Sequence, residues 1–340
     1  MKYNKLGNTG LLVSELCLGT MTFGGRGRFA AAGIGNVTQQ EANDIVAKSV
    51  EAGINFIDTA NVYSEGWSEE ITGQAIKDLK LNRDDLIIAT KVRGKMGEGV
   101  NQIGLTRKHI LEQADASLKR MGLDYIDLYQ IHGFDAITPF EETLRALEIL
   151  VQAGKVRYIG CSNLSAWQLM KALGISENKN LSKFVSLQAY YTVAGRDLER
   201  EMIPLLNDQQ VGLMVWSPLA GGLLSGKFKR NAEKPENSRR NNFDFPLVDK
   251  ERTFNIIEAL EPMAASKNAS VAQLALAWLL HQKTVSTVII GAKKMEQLED
   301  NLKSVNVTFT EEELKTLDEI SKLPPEYPGW MIDFQSSDRK

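Results

Sequence analysis

The sequence predicts an α/β protein, a (β/α)8 TIM barrel with an N-terminal β-hairpin, over 340 residues. Three observations predict it. Short runs rich in β-branched and apolar residues alternate with longer stretches of helical period. Those runs stop at polar residues or glycine, as strands do when their ends open on a shared face. No low-complexity stretch, charge block or internal repeat divides the chain, so residues 1–340 read as one domain.

Taken in order, Tyr3–Ser14 (YNKLGNTGLLVS) reads as a hairpin turning at Gly7, Asn8 and Gly10, placed to plug the barrel bottom and forming a cap over residues 1–15. The eight strand runs are Leu16–Gly19, Ile54–Asp58, Leu86–Lys91, Ile126–His132, Val156–Ser162, Phe184–Gln188, Val211–Ser217 and Thr287–Gly291. Amphipathic stretches between them include Gln40–Ala52, Arg107–Met121, Pro139–Ala153, Leu198–Asp208 and Val271–His281. Lys227–Pro246 is polar, basic and longer than an ordinary connection, which predicts a disordered segment or a functional lid. Residues 306–340 read as a C-terminal helix and tail, with Lys303–Lys322 its solvated face.

Composition excludes several function classes. Lys and Arg number 40 against 43 Asp and Glu, a net charge of −3, which argues against a phosphate-gripping nucleic-acid binder. Cys17 and Cys161 stand alone in apolar runs, so neither a disulfide framework nor a metal cluster is expected, and a reducing, cytoplasmic setting is. No run approaches the length of a membrane span, and MKYNKLGNTG has no apolar core of a secretory signal. His109 and His281 lie on helices as solvated or capping residues; with His132 they give no metal spacing. Trp167 and Trp278 sit at helical spacing and read as core. Gly221–Lys227 (GGLLSGK) fits a phosphate-loop pattern, but Phe228 stands where a magnesium-binding hydroxyl is needed. No glycine-rich dinucleotide fingerprint opens a helix after a strand.

The strand ends carry the chemistry. Asp58, Lys91 and His132 close the second, third and fourth runs, and Tyr63 follows in DTANVYSEG. In a parallel barrel these ends meet at one mouth. A phenol ordinarily titrates near 10, too high for efficient proton transfer at neutral pH. A nearby ammonium favours the phenolate, and a carboxylate can anchor that ammonium. A histidine on the next strand can orient a substrate carbonyl.

DTANVYSEGWSEE, ATKV, DLYQIHGFD, GCSN, WSPLAGGLLSGKF and GAKKMEQLEDN resemble, in order and spacing, the successive motifs of the aldo-keto reductase superfamily. The resemblance runs from the hairpin to about Val305 and is closest to the branch that also holds potassium-channel β-subunits. It implies an NADPH-dependent reduction of aldehydes or ketones by a tetrad of Asp58, Tyr63, Lys91 and His132, with Tyr63 as general acid. It implies that Ser162, Asn163 and Gln188 hold the nicotinamide carboxamide, that Trp216 lies against the ring, and that Gly19, Thr20, Met21 and Asp58 line it. Ser217, Pro218, Leu219, Gly221 and Lys227 belong to the stretch resembling a pyrophosphate loop. Gly291, Lys293, Gln297, Asp300 and Asn301 resemble the adenosine 2′-phosphate site, where Lys293 and Lys294 favour NADPH over NADH; Arg239 or Arg240 adds a clamp. Phe23, Trp67, Phe134 and Tyr190 are the expected substrate rim, with additions from Tyr327–Met331. Partners are a small carbonyl substrate, with neither nucleic acid nor membrane expected. The alternative is a cofactor-sensing regulatory subunit like the channel-associated relatives; the substrate and the oligomeric state are not read from the sequence.

Overall fold

A computed structural model describes residues 1–31, 33–233, 235 and 238–337. Strands β1 (Tyr3–Lys5) and β2 (Leu12–Ser14) form an antiparallel hairpin. Eight parallel strands then close a barrel: β3 (Leu16–Gly19), β4 (Phe56–Asp58), β5 (Ile87–Val92), β6 (Ile126–Ile131), β7 (Val156–Ser162), β8 (Ser186–Tyr190), β9 (Gly212–Trp216) and β10 (Val285–Ile290), with β10 pairing back onto β3. The helices following β3 are α1 (Gly27–Ala31) and α2 (Gln39–Glu51). One helix follows each of the next five strands: α3 (Trp67–Asp78), α4 (Arg107–Met121), α5 (Phe140–Gln152), α6 (Ala166–Lys179) and α7 (Met202–Gln209). After β9 come α8 (Arg239–Asn242), α9 (Lys250–Ser266) and α10 (Val271–Leu280), and after β10 come α11 (Met295–Leu302), α12 (Glu311–Ser321) and α13 (Gly329–Ser336). None of the described helices is long and apolar enough to cross a membrane.

Strand alternation divides the apolar residues into two cores. Inward residues Cys17, Phe56, Ala89, Leu128 and Met214 pack with Leu6 and Val13 of the hairpin, so the hairpin seals the barrel from below. Gly7, at φ +59°, makes this seat possible: a Cβ there would stand 2.2 Å from the Val185 carbonyl oxygen. Outward residues such as Ile57, Ile88, Val92 and Ile131 pack against the helices. Polar caps start several helices; Thr38 and Glu41 form a reciprocal capping box on α2, and Thr106 caps α4.

Some expectations are corrected here. The helix expected from Leu198 starts at Met202, after a short turn over Asp197–Glu199. Pro204 lacks an N–H and is tolerated only in a first turn, which sets that start. His109 is buried, not solvated, with Nε2 3.3 Å from the Gly94 carbonyl oxygen, and burial lowers its pKa. His281 caps α10, its Nδ1 2.8 Å from the Ala277 carbonyl oxygen. Trp167 is exposed at the start of α6, whereas Trp278 is core. The charged segment Lys303–Lys322 is broken, because Thr310 caps a new helix, α12, whose Leu317 is buried. The long segment around α8 is anchored by buried Arg240, which donates to the Ala220 carbonyl at 2.8 Å and the Pro246 carbonyl at 2.7 Å. The side chain of Arg239 lies outside the described set.

Candidate active site

The carboxyl ends of β4, β5, β6 and β8 bring together the most polar cluster of the barrel interior. Asp58 ends β4, and alternation points its carboxylate inward, where Lys91 of β5 meets it. The Lys91 ammonium is fully buried and donates to Asp58 Oδ2 at 2.6 Å, to the Thr59 carbonyl at 2.8 Å and to Tyr63 Oη at 3.4 Å. Burial works against the charged amine, but the Asp58 carboxylate and the Tyr63 oxygen outweigh it, so the pKa of Lys91 is raised and the group stays cationic. The ring of His132, one residue past β6, meets the Tyr63 ring edge-on at 5.7 Å between centroids. Tyr63 follows β4 in a tight turn whose next residues, Ser64 and Glu65, adopt positive φ (47° and 58°). The four expected catalytic residues thus share one site at the barrel mouth.

The second oxygen of Asp58 is held by two amides. Gln130 Nε2 and Gln188 Nε2 each donate to Oδ1 at 3.0 Å. A buried carboxylate is costly unless its lone pairs are satisfied, and here both oxygens are. Gln130 was absent from the expected set. It stands directly beside Lys91 in the β5–β6 register, and its signal in the sequence is a polar residue at an inward position of IDLYQIH, two before His132. Below this cluster, burial and the Asp58 charge hold the Cys17 thiol well above its ordinary pKa, so it is no nucleophile.

Around the mouth, Ser162 is buried and donates to the Gln188 carbonyl at 2.9 Å. Asn163, exposed at φ 55°, donates to the His132 carbonyl at 3.3 Å and accepts from Trp216 Nε1 at 3.0 Å. The Trp216 ring stacks parallel on Phe245 of the long segment, 5.7 Å between centroids, and Tyr190 leans on the same indole at 5.3 Å. Phe245 was not expected there. Met21 packs beside Tyr63. Ser217 Oγ accepts the Gly221 N–H at 2.9 Å, which closes the turn that also carries Pro218 and Leu219; Lys227 is exposed beyond it. On the far side, Gly291 and Gln297 are exposed, Gln297 accepts the Lys293 N–H at 3.0 Å, and the Lys293 ammonium meets the Gly33 carbonyl.

Several expected contact residues are occupied otherwise. Phe23 is fully buried in the outer core, so its ring is not a pocket rim. Thr20 is also hidden, its hydroxyl engaged by Ser68 Oγ at 2.8 Å. Asp300 accepts from Ser270 Oγ at 2.8 Å and Gln273 Nε2 at 2.7 Å, which commits its carboxylate to the start of α10. Asn301 is buried beside it on α11. Trp67 and Phe134 are half-buried at the mouth; Arg26 lies over the Trp67 ring at 3.5 Å, and Phe134 packs on Trp167 at 6.4 Å between centroids. Among the described residues no group of His, Cys, Asp or Glu could hold a metal ion.

Comparison with known proteins agrees with this architecture. The model of the Aldo/keto reductase family matches residues 15–322. A probable voltage-gated potassium channel subunit beta from Arabidopsis thaliana is 38% identical, over 90% of this chain and 92% of its own length. The versiconal hemiacetal acetate reductase of Aspergillus parasiticus is 35% identical, over 94% and 96%. An uncharacterized oxidoreductase of Bacillus subtilis is 35% identical, over 97% and 100%.

Proposed function

Because the chain belongs to the aldo/keto reductase family, we propose that it is an NADPH-dependent oxidoreductase that reduces aldehydes or ketones to alcohols, with Tyr63 as general acid. The observation that carries this reading is the buried Lys91 ammonium held between Asp58 at 2.6 Å and Tyr63 at 3.4 Å. A cation at that distance favours the phenolate and so makes the phenol a better proton donor at neutral pH. The substrate carbonyl oxygen would lie between Tyr63 Oη and His132, which orients it. As negative charge builds on that oxygen, Tyr63 gives up its proton, and the fixed charge of Lys91 needs no reorganisation to stabilise the phenolate left behind. Asp58 keeps the ammonium in place.

The donor set suits a nicotinamide dinucleotide. Exposed Asn163 stands between His132 and Trp216, and Lys293 with exposed Lys294 leads into α11, where a phosphate would find cations. Such a cofactor supplies the hydride when bound. The Phe245 ring on Trp216 implies that a nicotinamide on that indole shares it with the long segment. We further infer that residues 1–340 act as one domain, with the hairpin as cap and residues 227–246 reaching toward the cofactor.

Tyr63→Phe tests the proposal. Cofactor binding, followed by fluorescence titration, should stay within about threefold, while carbonyl reduction should fall by roughly 10²–10⁴. A variant that kept most of its turnover would remove Tyr63 from the role. Relatives named as channel β-subunits support a second reading, a cofactor-sensing subunit. Capture of a stoichiometric membrane partner, with negligible turnover on an aldehyde panel, would place that reading first.

A further inference from the structure

We propose that the mouth selects carbonyl substrates that carry a carboxylate, and that Arg93 is the residue that recognises it; the inference deepens the reductase reading and rests on it. Arg93 directly follows β5, two residues beyond Lys91 and so nearer the opening. The His132 N–H bonds the Val92 carbonyl at 2.9 Å, so Arg93 runs beside His132. Gly133 lies alongside it: a Cβ there would be 3.6 Å from Arg93 Cδ and 3.7 Å from Nε, ordinary contact distances. Nε donates to the Phe134 carbonyl at 2.8 Å, which fixes the plane of the guanidinium. Its two terminal nitrogens have no hydrogen-bond or ion-pair partner among the described residues, and the side chain is exposed.

The nearby acid is already committed. Asp135 accepts from the Leu105 N–H at 2.8 Å, the Ile137 N–H at 3.0 Å and Thr138 Oγ1 at 2.8 Å, and it makes no ion pair with Arg93. Arg93 also holds a positive φ of 151°, a conformation L side chains rarely adopt, and such backbone is retained at functional sites. The free edge of a guanidinium matches a carboxylate bidentately, which a lysine cannot reproduce. A substrate would then put its carbonyl at Tyr63 and His132, its short apolar spacer against Phe134, and its carboxylate on Arg93. Arg26, over Trp67 and with no ion pair among the described residues, adds positive potential across the mouth.

The test compares kcat/KM for 4-carboxybenzaldehyde and benzaldehyde. The wild-type chain should favour the acid, less so in high salt. In Arg93→Gln the acid-to-neutral ratio should fall about 10- to 100-fold, and Arg93→Lys should keep part of it. A loss shared equally by both substrates, or a wild type that favours benzaldehyde, overturns the inference. If neither aldehyde is reduced, the reductase reading fails and calorimetric binding of 4-carboxybenzaldehyde decides instead. Binding at least tenfold weaker in Arg93→Gln then supports carboxylate recognition, and equal binding overturns it.

Discussion

Asp58 is the residue on which the site converges, because one oxygen takes the ammonium and the other takes two amides. Gln130 acts on the chemistry only through this carboxylate, which makes it a positioning residue. Gln130→Leu keeps the volume but removes a donor to Asp58 and the acceptor of Gln188 Nε2 at 3.3 Å, so stability should drop by about 1–2 kcal/mol and kcat by roughly tenfold. The check is a double-mutant cycle: in an Asp58→Asn background the Gln130 effect on kcat should largely vanish, whereas a merely structural role would remain additive. At this scale the strand-ending Asp58, Lys91 and His132 were legible in the sequence, since a charged residue closing an apolar run stands out. Gln130 and Arg93 were not, because their meaning depends on register and on the bond from Arg93 Nε to the Phe134 carbonyl, which only the folded chain supplies.

Among the elements, the loops after β5 and β6 are tied to each other by Asp135, which bridges Leu105 to Ile137 and Thr138. Burial raises the pKa of this carboxyl, but the three donors outweigh it and the pKa lies below the ordinary value. A carboxyl depressed on folding contributes stability above its unfolded pKa and loses it as pH falls through the folded one. Asp135→Ala should therefore cost about 1–3 kcal/mol at pH 7, shrinking below pH of about 4. Urea melts of the two proteins across pH 2.5–7 would check this, and an unchanging gap would contradict it. Loop positions of this kind were the least readable part of the sequence. The strands announced themselves by composition, but the positive-φ residues Ser64, Arg93 and Ser217, all beyond strand ends, belong to types that give no such signal, unlike Asn163. In the long segment, expected to be disordered or a lid, the described residues Arg240 and Phe245 contact the turn after β9 and Trp216.

For the whole molecule, acid sensitivity should appear well above the carboxylate range. Burial keeps His109 neutral in the fold, and a histidine whose pKa is lowered binds fewer protons folded than unfolded. Its contribution is present above the unfolded value near 6.5 and declines as pH drops below it. His109→Gln should flatten the stability profile as pH falls below about 6.5. Parallel slopes for the two proteins in denaturant titrations would refute this origin. The architecture itself was legible end to end, since eight alternating runs leave few other topologies, and what escaped was how residues far apart in the chain share one hydrogen-bond network.

That network runs through the middle of the barrel. Asp58, Lys91, Gln130 and Gln188 come from β4, β5, β6 and β8, and they meet across the lumen with no room for a misplaced partner. Sliding any one of those strands by a single residue would swing its polar group outward into the oily layer under the helices and strand the others. The same charges that await a substrate therefore act as a key in a lock for the sheet, and a barrel that closes in the wrong register is also one that cannot react.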